Sequence, residues 1–131
     1  MRRYRHRDVN ERANTLFAAA LAASTILIGV LLVVGRQGPS NRVMAELAPL
    51  PAWGVVFLAA GLLGLVGQIL PSVAVIRVAH GAATVLAVLV AGCLWVAATT
   101  RHLDVSLHWF GWALNAAVLH FLVAWVSRPR R

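Results

Sequence analysis

Long apolar runs alternate with short polar segments along the whole chain. Asp, Glu, Lys and Arg are absent from four stretches, which cover residues 13–34, 53–70, 78–100 and 107–126. A helix needs about 20 mainly apolar residues to cross the hydrocarbon layer of a bilayer, and each stretch has about that length. The pattern predicts an all-α integral membrane protein, a single domain of residues 1–131 with four transmembrane helices at these positions.

The segments that flank the first two helices carry further signals. Residues 1–12 form a basic segment, in which Asp8 followed by Glu11 resembles a helix N-cap with its reciprocal acid and predicts a helix start near Val9. The first apolar stretch is too long for a signal peptide, and no small-residue cleavage site follows it, so we expect it to stay attached. Residues 35–52 form the longest loop. Its apolar side chains recur at helical spacing, which leaves open an interfacial helix at residues 40–48 or an irregular loop.

Composition and charge point to a lipid environment. The chain is 60% hydrophobic and 12% charged, which is too apolar for a soluble domain of this size. The chain has twelve basic residues and only four acidic ones. The arginines lie at the termini and between the apolar runs, a distribution that favours anionic lipid headgroups as partner over nucleic acid.

The arginines also predict an orientation, because they resist translocation across the membrane. With the N-terminus inside, nine arginines lie on the cytoplasmic side, against Arg36, Arg42 and Arg101 outside; the nine are Arg2, Arg3, Arg5, Arg7, Arg12, Arg77, Arg128, Arg130 and Arg131. Tryptophans at both predicted boundaries agree with this arrangement. We therefore expect a protein of the bacterial inner membrane with both termini in the cytoplasm.

Small residues recur at helical spacing in the spans. Lipid tails are as apolar as leucine, so membrane helices associate where small residues let their backbones approach. The candidate packing residues are Ala60, Gly61, Gly64, Gly67, Ala83, Ala87, Ala91, Ala113 and Ala117, and the first span has Ala18 with Ala22 and Ala19 with Ala23. The sequence leaves open whether these faces meet within one chain or between copies. Small-residue faces that no helix of the same chain covers would favour the formation of oligomers.

The polar residues at membrane depth are Gln68, His80, Asn115 and His120, with Ser24 and Thr25 in the first span. Gln68, His80 and His120 are expected to face a common inner vestibule, whereas helical geometry puts Asn115 on another side of its helix from His120. The histidines can act as neutral hydrogen-bonding groups between helices. Alternatively, they can form a path for protons or ions.

The sequence offers no pattern for catalysis, a cofactor or a metal. Its four acids lie at Asp8, Glu11, Glu46 and Asp104, outside the four stretches, which removes paired carboxylates at membrane depth. Cys93 is the single cysteine, and the spacing of His102, Asp104 and His108 fits no specific metal site. We predict a non-enzymatic protein without cofactor or metal.

The format resembles two groups of small membrane proteins associated with phages of high-GC bacteria. A short chain with four spans, arginine-rich cytoplasmic ends and small-residue helix faces is similar to holins and to prophage-encoded proteins that exclude competing phages. The resemblance implies helix-mediated assembly that changes membrane permeability, with a homo-oligomer or another membrane protein as partner. Two alternatives are a membrane anchor or subunit of a larger complex, and a small channel or transporter that uses His80, Asn115 or His120.

Overall fold

The computed structural model describes residues 2–35, 42–70, 72–101 and 104–126, and the side chains of residues 11–35, 42–70, 72–100 and 109–126. These residues form five helices: α1 (Arg2–Val33), α2 (Arg42–Leu47), α3 (Leu50–Ile69), α4 (Val73–Arg101) and α5 (Asp104–Val126). All of the helices except α2 are long and apolar enough to cross a membrane. The predicted all-α architecture with four such helices is therefore confirmed.

The helices begin earlier than their apolar stretches do. α1 begins at Arg2, so the predicted N-cap at Asp8 is wrong, and the helix continues through the basic segment. α3 begins at Leu50 because proline, which lacks a backbone N–H, is tolerated in the first turn of a helix, and Pro51 occupies that turn. α4 begins at Val73, which places Arg77 within a helix rather than at the end of a turn.

The segment after α1 packs on the bundle. Residues 42–47 form the short helix α2, and its side chains Val43 and Met44 are buried in the same core cluster as Phe57 and Leu86. The indole Nε1 of Trp53 on α3 donates a hydrogen bond of 3.0 Å to the backbone oxygen of Met44, which links α2 to α3. Of the two alternatives that the sequence left open, the structure thus contains the helix, and its apolar side faces the protein.

The long helices pack as neighbours in chain order. α1 lies along α3, α4 lies along α5, and α3 contacts α4, whereas α1 and α5 touch over a short region. In the order α1, α3, α4 and α5, each helix runs antiparallel to the one before it. We call the end where α1 ends and α3 begins the α2 end, and the end where α3 ends and α4 begins the distal end.

Backbone contact at glycines holds α1 against α3. A methyl group added to Gly29 would lie 2.7 Å from the backbone nitrogen of Leu58, and one added to Gly54 would lie 2.7 Å from the backbone oxygen of Gly29. About two helical turns further along α3, a methyl group at Gly61 would lie 2.8 Å from the backbone oxygen of Ala22. Real side-chain carbons do not approach this closely, so the interface requires glycine at these positions.

The candidate packing residues are buried within the single chain. Gly64 lies between Ala22 of α1 and Ala79 of α4, which a methyl group on it would approach to 3.1 and 3.8 Å. Between α4 and α5, Ala91 and Ala113 belong to one buried cluster. All nine residues are buried, namely Ala60, Gly61, Gly64, Gly67, Ala83, Ala87, Ala91, Ala113 and Ala117. These faces therefore meet inside one bundle.

The Gly54→Ala substitution tests the glycine contact. The added methyl group would meet the backbone of α1, which cannot move aside as a side chain can, so we expect a loss of about 1–3 kcal/mol in unfolding free energy. Unfolding in mixed micelles of mild detergent and dodecyl sulfate measures it. Gly111→Ala is the matched control, since no atom lies within 4 Å of its added methyl group. Equal stability of the two variants would contradict the packing described here.

Candidate functional site

Three buried polar side chains meet in the interior of the bundle. Among the described residues, the buried polar side chains are Thr25 on α1, His80 on α4 and His120 on α5, which are 2%, 1% and 4% exposed. Polar groups in an apolar environment are unfavourable unless they are hydrogen-bonded. We call these three residues the polar triad and its two histidines the histidine pair.

Short hydrogen bonds connect the polar triad. The Nδ1 atoms of His80 and His120 lie 2.8 Å apart, and the other ring nitrogen of His120, Nε2, lies 3.2 Å from the hydroxyl oxygen of Thr25. The two imidazole rings are tilted by 35° with their centroids 5.1 Å apart. The polar triad therefore joins α1, α4 and α5, and it lies where α1 and α5 make their limited contact.

Small residues bring the polar triad together. Thr25 follows Ala18 and Ala22 on the buried side of α1, and His120 follows Ala113 and Ala117 on the buried side of α5. Spacings of three and four residues place side chains on one face of a helix. Because the neighbouring side chains are small, the helices approach closely enough for a ring on one helix to reach a polar atom on the next.

The hydrogen-bond directions assign the tautomers of the histidine pair. The Thr25 hydroxyl donates its proton to the backbone oxygen of Leu21 at 2.8 Å, so toward His120 its oxygen can only accept. His120 must then carry its proton on Nε2, which leaves Nδ1 as an acceptor in the neutral ring. The bond between the two Nδ1 atoms requires His80 to donate, so neutral His80 carries its proton on Nδ1.

This assignment leaves one nitrogen of His80 without a proton and without a partner. Among the described side chains, His80 Nε2 is the buried polar atom that makes no hydrogen bond. The hydroxyl of Thr84, one turn further along α4, donates to the backbone oxygen of His80 at 2.8 Å rather than to this nitrogen. A buried acceptor without a donor is destabilising by about 1–3 kcal/mol. The chain of hydrogen bonds thus runs from His80 through His120 to Thr25 and ends on the backbone of α1.

The predicted polar residues divide into two groups. His80 and His120 come together, whereas Gln68 is half-buried on α3 and takes no part in the hydrogen bonds of the histidine pair. Asn115 lies on the exposed side of α5, away from His120. Of the three residues expected to share a vestibule, His80 and His120 therefore meet, in a buried contact rather than an open space, and Gln68 does not join them.

Sequence reasoning missed Thr25 as a member of the site. The signal is its position on the stripe that Ala18 and Ala22 begin, since a polar residue on a small-residue face is directed at a neighbouring helix. What the sequence does not contain is the pairing of α1 with α5, because Thr25 and His120 are 95 positions apart along the chain.

The chemistry open to the polar triad is hydrogen bonding between helices and proton exchange between the two Nδ1 atoms. The described residues include no group of three or more His, Cys, Asp or Glu side chains able to hold a metal ion. The set His102, Asp104 and His108 lies outside the described side chains. A conducting path needs access from both sides, and the histidine pair is enclosed. The geometry therefore favours a polar tie between helices over a proton path.

The comparisons with known proteins identify no family for this chain. The chain matches no protein-family model, no curated protein and no solved structure. What the fold defines is a class, namely an all-helical protein with four helices long and apolar enough to cross a membrane.

The tautomers give a direct test of the polar triad. We expect His80 in the Nδ1–H form and His120 in the Nε2–H form at a pH where both rings are neutral. Ring nitrogen chemical shifts of ¹⁵N-histidine protein in detergent distinguish the two forms. In Thr25→Val the acceptor for His120 Nε2–H is lost, so the His120 signals should shift, while Thr25→Ser, which keeps the hydroxyl, should preserve them. An Nε2–H form for His80 in the unchanged protein would contradict the assignment.

Proposed function

We propose that the chain is a non-enzymatic multi-pass protein of the bacterial inner membrane, with both termini in the cytoplasm. It acts by assembling with further copies of itself through its helices, and the assemblies change the permeability of the membrane. The observation that carries the proposal is a surface of α4 with two glycines, Gly81 and Gly92, at which an added methyl group would meet no atom of the described residues within 4 Å.

The surface of the long helices suits a bilayer. Large apolar side chains are exposed along all four, among them Leu31, Leu62, Val85 and Phe121. Exposed tryptophans lie toward both ends of α5, Trp109 and Trp112 near the α2 end and Trp125 at the distal end, as is usual for side chains at a membrane boundary. The excess of arginine at the distal end supports a cytoplasmic position for that end.

The candidate packing residues do not serve the assembly, since the bundle buries them. Three glycines of the long helices are not used in this way: Gly111, which is the one glycine of α5, and Gly81 and Gly92, which share a surface of α4. We call this surface the outward face of α4; it consists of Gly81, Val85, Val88, Gly92 and Val96. These positions are three or four residues apart and lie opposite the side of α4 that packs on α3 and α5. A methyl group added to Gly81 or Gly92 would meet no atom within 4 Å.

The composition of the outward face of α4 favours contact with another helix. Glycine in a helix interior is less favourable than alanine by about 1 kcal/mol, and Gly81 and Gly92 have no contact within the chain that requires glycine. Glycines between β-branched side chains form a shallow groove with stiff ridges, which lets two helices approach closely in lipid. A second copy of the same face supplies a complementary surface.

The acidic residues support a non-enzymatic role. Between residues 13 and 100 the chain contains one acidic residue, Glu46, which lies in α2 rather than in a long helix. General acid and base chemistry within the membrane would need such groups. The remaining polar groups of the interior are the polar triad, which bonds to itself and to the backbone.

Gly92→Leu tests the proposal. The larger side chain fills the groove without disturbing the bundle, so we expect the oligomer formed by the unchanged protein in mild detergent to dissociate. We also expect the unchanged protein to lower the membrane potential of bacteria in which its expression is induced. The Gly92→Leu variant should leave the potential normal. Light scattering after size exclusion gives the oligomeric state, and a potential-sensitive dye gives the polarisation of the cells.

Ala59→Leu is the matched control, because Ala59 is exposed on another long helix, α3, and should leave both readouts unchanged. The proposal is wrong if the unchanged protein is monomeric, or if cells that express it at high level keep normal polarisation. Co-purification with a different protein in place of further copies would favour the anchor or subunit instead.

A further inference from the structure

The histidine pair brings two titratable side chains into contact inside the bundle. His80 and His120 are 1% and 4% exposed, and the 2.8 Å hydrogen bond between their Nδ1 atoms joins α4 to α5. Nε2 of His80 is the one ring nitrogen of the pair that makes no hydrogen bond. In the tautomers assigned above this nitrogen carries a lone pair, so a proton taken up from the aqueous phase forms its N–H bond there.

The helices packed around the histidine pair present no acidic side chain to such a proton among the described residues. On α1 the neighbour of the pair is the hydroxyl of Thr25, and α3 contains no charged or titratable residue. On α4, Arg77 lies about one turn before His80 and is itself positively charged. The surroundings therefore do not neutralise a positive charge on the pair.

The other charged and titratable residues of the described helices lie far from the histidine pair. Counted from the member of the polar triad on the same helix, the nearest are Arg12 on α1 at 13 positions, Cys93 on α4 at 13 and His108 on α5 at 12. Twelve positions correspond to about 18 Å along a helix. The two charged residues of α2, Arg42 and Glu46, lie at the α2 end, whereas the pair lies in the distal half of the bundle.

The first added proton leaves the contact between the rings in place but makes it unfavourable. His80 still donates from Nδ1 to His120, and its Nε2 changes from an acceptor without a donor to a charged donor without an acceptor. A buried charge is strongly unfavourable unless it is paired and hydrogen-bonded. The protonated pair therefore gains stability when water reaches it.

The second added proton removes the contact. Its only site is Nδ1 of His120, the acceptor of the bond from His80, because the other nitrogen of His120 already carries a proton. Both Nδ1 atoms are then donors, and two positive rings face each other. The hydrogen bond of 2.8 Å between α4 and α5 cannot persist in that state.

The structure indicates where α4 and α5 come apart. Toward the α2 end they share a buried cluster that contains Ala91, Leu94 and Ala113. At the distal end a surface groove of about 340 Å³ lies between the two helices, about one turn beyond the histidine pair, and Phe121 and other side chains line it. The histidine pair is thus the polar contact that holds the helices together beside an existing opening.

We propose that the histidine pair is a proton-sensitive contact, and that proton uptake by it separates α4 from α5 at the distal end. The buried cluster keeps the two helices together toward the α2 end, so the separation is local. This inference goes beyond the proposed function and depends on the contacts of a single chain, not on self-assembly.

A distance measurement on the full chain in mild detergent tests the inference. The background is Cys93→Ala, and spin labels are attached to Val78→Cys and Leu122→Cys, two exposed positions on α4 and α5 just beyond the histidine pair. Pulsed electron paramagnetic resonance is recorded from about pH 8 to about pH 4, across the usual titration range of histidine. We expect the distance to increase by about 3 Å, the width of one water molecule, since water must reach both rings.

A second label pair shows whether the opening is local. Leu89→Cys and Leu114→Cys are exposed positions on the same two helices toward the α2 end, and their distance should stay constant. An excess of unlabelled protein removes distances between copies, so the result does not depend on the oligomeric state.

Histidine variants assign the opening to the pair. Replacing both rings by neutral amides, His80→Gln together with His120→Gln, should abolish the response to acid. The matched control is His108→Gln, which removes the other histidine of α5 and should leave the response unchanged.

Ring nitrogen chemical shifts of the ¹⁵N-histidine protein with both histidines in place test the inference without these variants. The increase in distance should occur over the pH range in which the signals of the pair change to the protonated form. A constant distance while the pair becomes protonated would overturn the inference, as would a pair that stays neutral down to about pH 4. An acid response that persists in the double variant would overturn it as well.

Discussion

Hydrocarbon offers no hydrogen bonds to a polypeptide backbone, and a chain proposed to lie in a membrane has to meet this constraint first. A chain with this much apolar surface is best accommodated in lipid, where each crossing segment must satisfy its own N–H and C=O groups by forming a helix. Helices in lipid then gain little from burying leucine against leucine, because the lipid is as apolar as the side chain. Contact has to come from close backbone approach, which the pairing of Gly29 with Gly54 and of Gly61 with Ala22 provides.

The polar triad follows from the same constraint. Thr25, His80 and His120 reach one another because the small residues beside them let α1, α4 and α5 converge. Their hydrogen bonds add direction to a contact that small residues alone leave loosely specified, since a shift of one helix along another would leave each group unpaired. The unpartnered Nε2 of His80 is the exception.

Much of this fold follows from the sequence. The number of long helices depends on local composition, and the position of each small-residue face depends on residue spacing along a single helix. The partners of those faces depend on topology. Ala83, Ala87 and Ala91 are equally suited to a helix of their own chain and to that of another copy, and only the folded bundle shows that their own chain buries them. The membership of Thr25 in the polar triad depends on topology in the same way, because its partner His120 lies on α5. Gly81 and Gly92 became candidates for contact with another helix only because an added methyl group on either would meet no atom within 4 Å. The start of α1 at Arg2 shows that a capping pattern at Asp8 yields to a strongly helical context.

The placement of the chain in the membrane is the claim on which the proposed function depends, and topology mapping in living bacteria tests it most directly. Green fluorescent protein and alkaline phosphatase are fused in turn to the N-terminus, to the C-terminus and within residues 36–41. We predict fluorescence without phosphatase activity at both termini, and phosphatase activity without fluorescence at the internal position. Termini on opposite faces of the membrane, or a fusion protein that stays in the soluble fraction, would contradict the account.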